Sequence, residues 1–232
     1  MSTQAQLRTR VREKVDEDTA AFWSNTLIDN QLSEAYRFYW AWIIKLHEGY
    51  FLKTDNISYD ANSAGEYALP SDFFKIRLLS RVISAEKIPL RYFERYDNAL
   101  PTTLTNSIYN LPTYRMRGSK LVIEPAPDFS LTNALELEYT RTLSALSASV
   151  DVDSEFAGIP TAEDCLVIRA VIKCKGIEEM VAGGGADIDP FIKDLLTTEQ
   201  MLKEAVEQRV TARQFVEQFG EQDNDSIQIW SL

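Results

Sequence analysis

The sequence predicts an α+β protein: a helical bundle, built from two N-terminal and two C-terminal helices, interrupted by a small antiparallel β-domain. Three observations predict it. Apolar residues recur at intervals of three and four before residue 50 and again after Pro160. Between these stretches, short extended runs alternate with turn residues. The prolines of that middle region, Pro70, Pro89, Pro101, Pro112, Pro125 and Pro127, bound the runs rather than interrupt them.

Leu7, Val11 and Val15 recur every four residues and place a short amphipathic helix within residues 5–18. Phe22, Trp23 and Leu27 fall in a break rich in Ser and Asn. In the second helix Asp29 or Asn30 can serve as N-cap. Its apolar series runs Leu32, Ala35, Tyr36, Tyr39, Trp40, Ile43, Leu46, His47 and Tyr50, with Gly49 at the fraying end. Phe38, Trp42 and Ile44 add apolar surface on other faces, so this helix is expected to pack against more than one partner, in its own chain or in neighbouring subunits. Trp40 is expected in the core.

Extended runs are expected at 56–59, 66–69, 75–84, 88–90, 114–117, 120–124 and 135–142. Arg117-Gly118-Ser119-Lys120 reads as a two-residue hairpin loop of the type II′ preference, with Gly in the first central position. Leu135 to Tyr139 alternates cleanly, the pattern of a strand with one wet face. Residues 91–111 read as a longer excursion of helical or turn character. After Pro160, Thr161 is the expected N-cap, with Glu163 and Asp164 in the first turn and Leu166, Val167, Ala170, Val171, Cys174 and Ile177 on one face. Gly183-Gly184-Gly185 ends that helix. Asp189-Pro190 opens the last one, which carries Phe191, Leu195, Leu202, Val206 and Val210 and is expected to reach about Phe219. The expected divisions are N-terminal helices 1–54, β-insert 55–145, C-terminal helices 146–220 and an extended tail 221–232.

Composition excludes several functions. The 232 residues carry 24 Lys+Arg against 35 Asp+Glu, a net charge of −11, and 45% are hydrophobic, an ordinary globular balance. So acidic a chain is poorly suited to wrapping nucleic acid by phosphate neutralisation. The longest uninterrupted apolar run, Phe38 to Ile44, is far shorter than the roughly 20 residues a bilayer span needs, so no membrane association is expected. Met1 to Gln4 begins no apolar signal segment, and secretion is not expected.

The chemistry-bearing residues point away from catalysis, and no cofactor or metal is expected. Cys165 and Cys174 lie nine residues apart in one helix, on opposite faces and too far apart to bridge. His47 is the single histidine, too few for a Cys/His zinc site. Asp151-Val152-Asp153-Ser154-Glu155 alternates carboxylates, but Phe156 and Ala162 occupy the positions where a calcium loop needs Gly and Glu. The triple glycine 183–185 lacks the Lys-Ser/Thr of a phosphate loop. Arg91-Tyr92-Phe93-Glu94-Arg95-Tyr96 interleaves cations and aromatics, a pattern that stacks bases but more commonly packs a helix on a sheet.

Charge is segregated. Residues 75–120 hold nine Lys/Arg and three Asp/Glu, net +6, whereas residues 151–232 hold seven and 17, net −10. A basic β-region and an acidic helical region suit head-to-tail contact between copies. The chain end is acidic and then apolar: Glu221, Asp223 and Asp225 precede Ile227, Ile229, Trp230 and Leu232. Alternation there is the spacing of an extended segment that adds to a sheet edge or fills a groove. With Phe215 and Phe219, these four apolar residues are the candidate docking residues toward a partner.

The order of these signals resembles the head-to-tail connector (adaptor, or head-completion) proteins of tailed bacteriophages. The resemblance is carried by the aromatic N-terminal helices around Phe22-Trp23 and Ala35 to Trp40, by Leu69-Pro70-Ser71-Asp72-Phe73, which is similar to the family's Leu-Pro-x-Asp-Phe segment, and by the hairpin Tyr114 to Pro127 ending in Pro-x-Pro. Leu137-Glu138-Tyr139 then matches its next strand, and Ile159-Pro160 opens its returning helix. It spans roughly residues 5–210, and its motifs are structural, so no catalytic residue carries over. It implies a virion protein, made in the host cytoplasm, that forms a ring commonly of twelve copies at the neck. The portal lies above, a tail or nozzle protein lies below, and double-stranded DNA passes transiently through the channel. Two other classes compete with it: a cytoplasmic oligomeric interaction module outside any virion, and a metal-dependent nuclease.

Overall fold

The computed structural model describes residues 2–17, 22–63, 65–83, 86–92, 112–127, 129–147, 149–156, 158–182 and 188–225, the last fifteen of these as backbone. The chain divides into two compact units, residues 1–50 with 143–232, and residues 51–142. The class is α+β.

The first unit holds α1 (Gln4–Val15), α2 (Asn25–Leu46), a one-turn α3 (Val152–Glu155), α4 (Pro160–Ala182) and α5 (Asp189–Asp225). Thr3 and Gln6 form a capping box at the start of α1, and Asp16 closes the helix in the left-handed region, at φ 60°. Leu7, Val11 and Val15 are buried. The N-cap of α2 is Ser24, whose hydroxyl accepts from the Leu27 N–H at 3.2 Å, so this helix starts earlier than an Asp29 or Asn30 cap would have it. Asp29 instead accepts from Nε and Nη2 of Arg8, at 2.8 and 2.9 Å, and ties α1 to α2.

The turn between α1 and α2 is organised by Arg12. It is buried, donates to the Trp23 carbonyl at 2.6 Å and to Asn25 Oδ1 at 2.9 Å, and pairs with Glu17 at 3.2 Å. Glu17 in turn accepts the Trp23 N–H at 3.1 Å.

The helix surrounded by partners is α4, which packs against α1, α2, α3 and α5. Its neighbours leave a continuous run, Cys165 to Ile168, buried on successive faces. Both thiols are free and buried, and burial pushes Cys165 up to about 12 and Cys174 to about 11. By contrast α2 buries one face, Ile28, Leu32, Ala35, Tyr36, Tyr39 and Ile43, and leaves Phe38 exposed. Trp40 lies half-buried at the margin of that face. Trp40→Ala is therefore expected to cost about 1–2 kcal/mol, below the cost of deleting a fully buried ring, and a thermal or urea melt checks it.

Two further expectations are corrected here. Thr161 lies inside the first turn of α4 rather than at its cap, because the helix already begins at Pro160. The last helix continues past Phe219 to Asp225, so residues 221–225, expected extended, are helical. The triple glycine 183–185 and residues 226–232 lie outside the described residues.

The second unit holds two four-stranded sheets. One has the order β1 (Leu52–Tyr59), β8 (Leu131–Arg141), β3 (Phe73–Ile83), β4 (Glu86–Pro89); the other β2 (Glu66–Ala68), β7 (Lys120–Glu124), β6 (Thr113–Arg117), β5 (Arg91–Tyr92). Pairing is antiparallel except for β5 with β6, which run parallel. Arg91 and Tyr92, expected within a helical or turn excursion, thus form a short strand; residues 93–111 lie outside the described residues. Tyr59, Leu79, Leu137 and Tyr139 from one sheet and Tyr67, Leu121 and Ile123 from the other share one core.

Two turns show why glycine is needed. Gly118 sits at φ +59° between Arg117 and Lys120, and Ser119 is not among the positive-φ residues, as a type II′ turn requires. Gly65, at φ +76°, lies so close to β7 that a Cβ would stand 2.5 Å from the Ile123 carbonyl oxygen. The Gly65 carbonyl accepts the Ile123 N–H at 2.8 Å, so the close approach is itself a backbone bond.

Candidate functional site

The Leu-Pro-x-Asp-Phe segment acquires a physical meaning in the β-unit. Asp72 precedes β3 and gathers the ends of three strands. Its carboxylate accepts Lys53 Nζ of β1 at 2.9 Å and Tyr139 Oη of β8 at 2.8 Å. Its carbonyl accepts the Thr142 N–H at 2.7 Å. Phe73 then lays its ring against that of Tyr139, with centroids 5.6 Å apart. Burial by itself would raise the Asp72 carboxyl, but the hydrogen bonds from Lys53 and Tyr139 outweigh it and hold the group below its usual value. Burial first, then the Asp72 hydrogen bond, pushes Tyr139 up to about 12, so its hydroxyl keeps the proton it donates.

A carboxyl with a depressed folded-state pKa stabilises the fold above its ordinary pKa, and that contribution is lost as pH falls through the folded value. For Asp72 the loss begins near 3.8 and proceeds downward. In urea melts at a series of pH values, wild type is expected to lose more stability on acidification below that point than Asp72→Asn, which keeps the shape but not the titration. Identical acid slopes would contradict the assignment.

A second charged cluster braces the hairpin of β6 and β7: Glu66 of β2 takes Arg117 and Lys120, each at 2.7 Å. In the helical unit, α5 is joined to α2 and α4 by a polar knot. Tyr39 donates to Glu199 at 2.7 Å, and Arg169 lies over the Phe38 ring at 3.5 Å with Glu199 at 3.8 Å. Burial and then Glu199 push the Tyr39 hydroxyl far above its ordinary value. Further along α5, Arg209 donates to the Gly158 carbonyl at 3.0 Å.

These clusters brace the elements they join. Among the described residues no group of three or more His, Cys, Asp or Glu is placed to hold a metal ion. No helix, over the same residues, is long and apolar enough to cross a membrane. Of the candidate docking residues, Phe215 and Phe219 stand one turn apart on α5, and Ile227, Ile229, Trp230 and Leu232 lie outside the described residues. Sequence reading missed the organising roles of Arg12 and Glu199 and the full burial of Arg81. A lone cation in a polar stretch of sequence carries no signal that its partner is distant or that it is buried.

The chain is a helical unit carrying an inserted two-sheet unit, and charged pairs brace the elements within each. The family model of the SU10 adaptor protein matches residues 2–215, nearly the whole chain, and the chain belongs to that family of phage adaptor proteins. No curated protein matches it.

Proposed function

We propose that this adaptor acts as a cyclic assembly of identical copies, twelve in number, at the neck of a tailed phage particle, joining the portal to a tail or nozzle protein below and continuing the DNA channel. The observation that carries the reading is the segregation of charge: net +6 over residues 75–120, inside the β-unit, against net −10 over residues 151–232 of the helical unit. An isologous dimer sets like patches together across its twofold axis, whereas a ring sets basic against acidic all the way round. An acidic chain also suits a channel through which DNA slides without sticking. In this reading the helical parts, 1–54 and 146–220, and the β-insert, 55–145, are separate modules. The C-terminal segment with Phe215, Phe219, Ile227, Ile229, Trp230 and Leu232 docks on a neighbour, the portal or the adjacent copy.

Sedimentation of the chain mixed with purified portal tests this. Many copies per portal are expected, with binding weakened by added salt because the contacts are charged. One copy bound at a single position would contradict the ring. A monomer in isolation is compatible with it, since such a ring can assemble on its template. Deletion of residues 226–232 is expected to leave the melting of the isolated chain near normal while abolishing attachment. Normal attachment, or a large loss of the chain's own stability, would contradict the docking role.

A further inference from the structure

We propose that the open edge of β1 receives residues 226–232 of a second copy as an added strand. This rests on the ring reading above and adds to it the identity of one contact.

Among the described residues β1 ends its sheet and pairs on one side only, with β8. The other three sheet ends are short: β4 has four residues, β2 three and β5 two. β1 has eight, enough for a ladder of several bonds. Charged side chains commonly guard such an edge. Here both are already engaged: Lys53 donates to Asp72 at 2.9 Å, and Asp55 accepts the N–H of its neighbour Asn56 at 2.9 Å.

The core thins out at this edge. Lys53 and Asp55 stand opposite Tyr139 and Leu137, which have no exposed surface, yet both are exposed themselves. Ile57, opposite the buried Leu135, packs against the core and is only half-buried. A strand laid beside β1 bonds its open backbone and covers Ile57.

The chain carries a segment of that kind in Ser226-Ile227-Gln228-Ile229-Trp230-Ser231-Leu232. It holds no charged residue, Gly or Pro, and it alternates Ile227 and Ile229 with Gln228, Trp230 and Leu232. Seven extended residues reach about 23 Å, against about 26 Å for the eight of β1 at the same rise. Asp223 and Asp225 lead into the segment, and the β-unit is net +6 over residues 75–120, so its approach is attractive. The donor is a second copy because a heterologous, closing contact requires each copy to have one donating and one receiving end.

A fluorescently labelled synthetic peptide of residues 221–232, titrated into the intact full-length chain and read by anisotropy, tests this. Binding is expected, and at saturation hydrogen exchange should slow within β1 while β2, β4 and β5 exchange as before. Two further peptides separate strand addition from side-chain contact, one N-methylated at Ile227, Ile229 and Ser231, the other at Gln228, Trp230 and Leu232. An added strand pairs along one of its edges, so one of these should lose at least about tenfold in affinity while the other binds nearly as the parent does. No binding, protection elsewhere than β1, or equal behaviour of the two methylated peptides overturns the proposal. So do β1 amides already protected in a free chain that sediments as a monomer, since its own end then fills the edge. The ring reading is judged separately, by the number of copies bound per portal: many copies together with a failed peptide test removes this contact and leaves the ring.

Discussion

Arg12→Ala is expected to destabilise the helical unit by about 3–5 kcal/mol, the cost of leaving one member of a buried ion pair without its partner. Arg12 and Glu17 are both largely enclosed, with side-chain exposures of 10% and 14%. The guanidinium also closes the turn between α1 and α2 through the Trp23 carbonyl and Asn25. Removing it strands Glu17 and frees two acceptors at once. Urea unfolding followed by the helical signal measures the loss. Arg12→Lys separates charge from geometry: it keeps the positive charge but not the fork that reaches Trp23, Asn25 and Glu17 together, so it should recover only part of the stability. A full recovery by Lys, or an Ala variant that unfolds with wild type, would show that the clasp is incidental.

The second large effect is expected at Phe156. Phe156→Ala should cost about 3–5 kcal/mol, the range for deleting a fully enclosed aromatic ring and leaving a cavity. Phe156 has no exposed surface, and its ring stands edge-on to Tyr36 of α2 at 5.4 Å. Its carbonyl accepts Tyr50 Oη at 3.2 Å. The residue thus holds the returning chain, just before α4, against the N-terminal helices. Phe156→Leu should retain most of the stability by filling part of the volume. A Phe156→Ala chain with an unchanged unfolding midpoint would mean that the N- and C-terminal helices are joined elsewhere.

The periodic elements were legible in the sequence. Leu7, Val11 and Val15 announce α1, the alternation of Leu135 to Tyr139 announces β8, and Gly118 announces its turn, because each signal is local. Errors arose where tertiary context decides. Trp40 has the spacing of a core residue yet lies at the margin of its face, and Ser24 caps α2 five residues before the expected Asp29. The short strand of Arg91 and Tyr92 carries no periodicity and exists only because β6 lies beside it. Asp72 stood out in the sequence as part of a motif, but its partners, Lys53 and Tyr139, lie 19 and 67 residues away.

The proposed ring requires many identical copies of this adaptor encircling one axis. Electron microscopy of the neck of purified particles, with the symmetry of this protein's density determined directly, tests that most squarely. A closed ring of twelve copies between portal and tail is the result predicted. Density for a single asymmetric copy, or particles that lack the protein altogether, would contradict it.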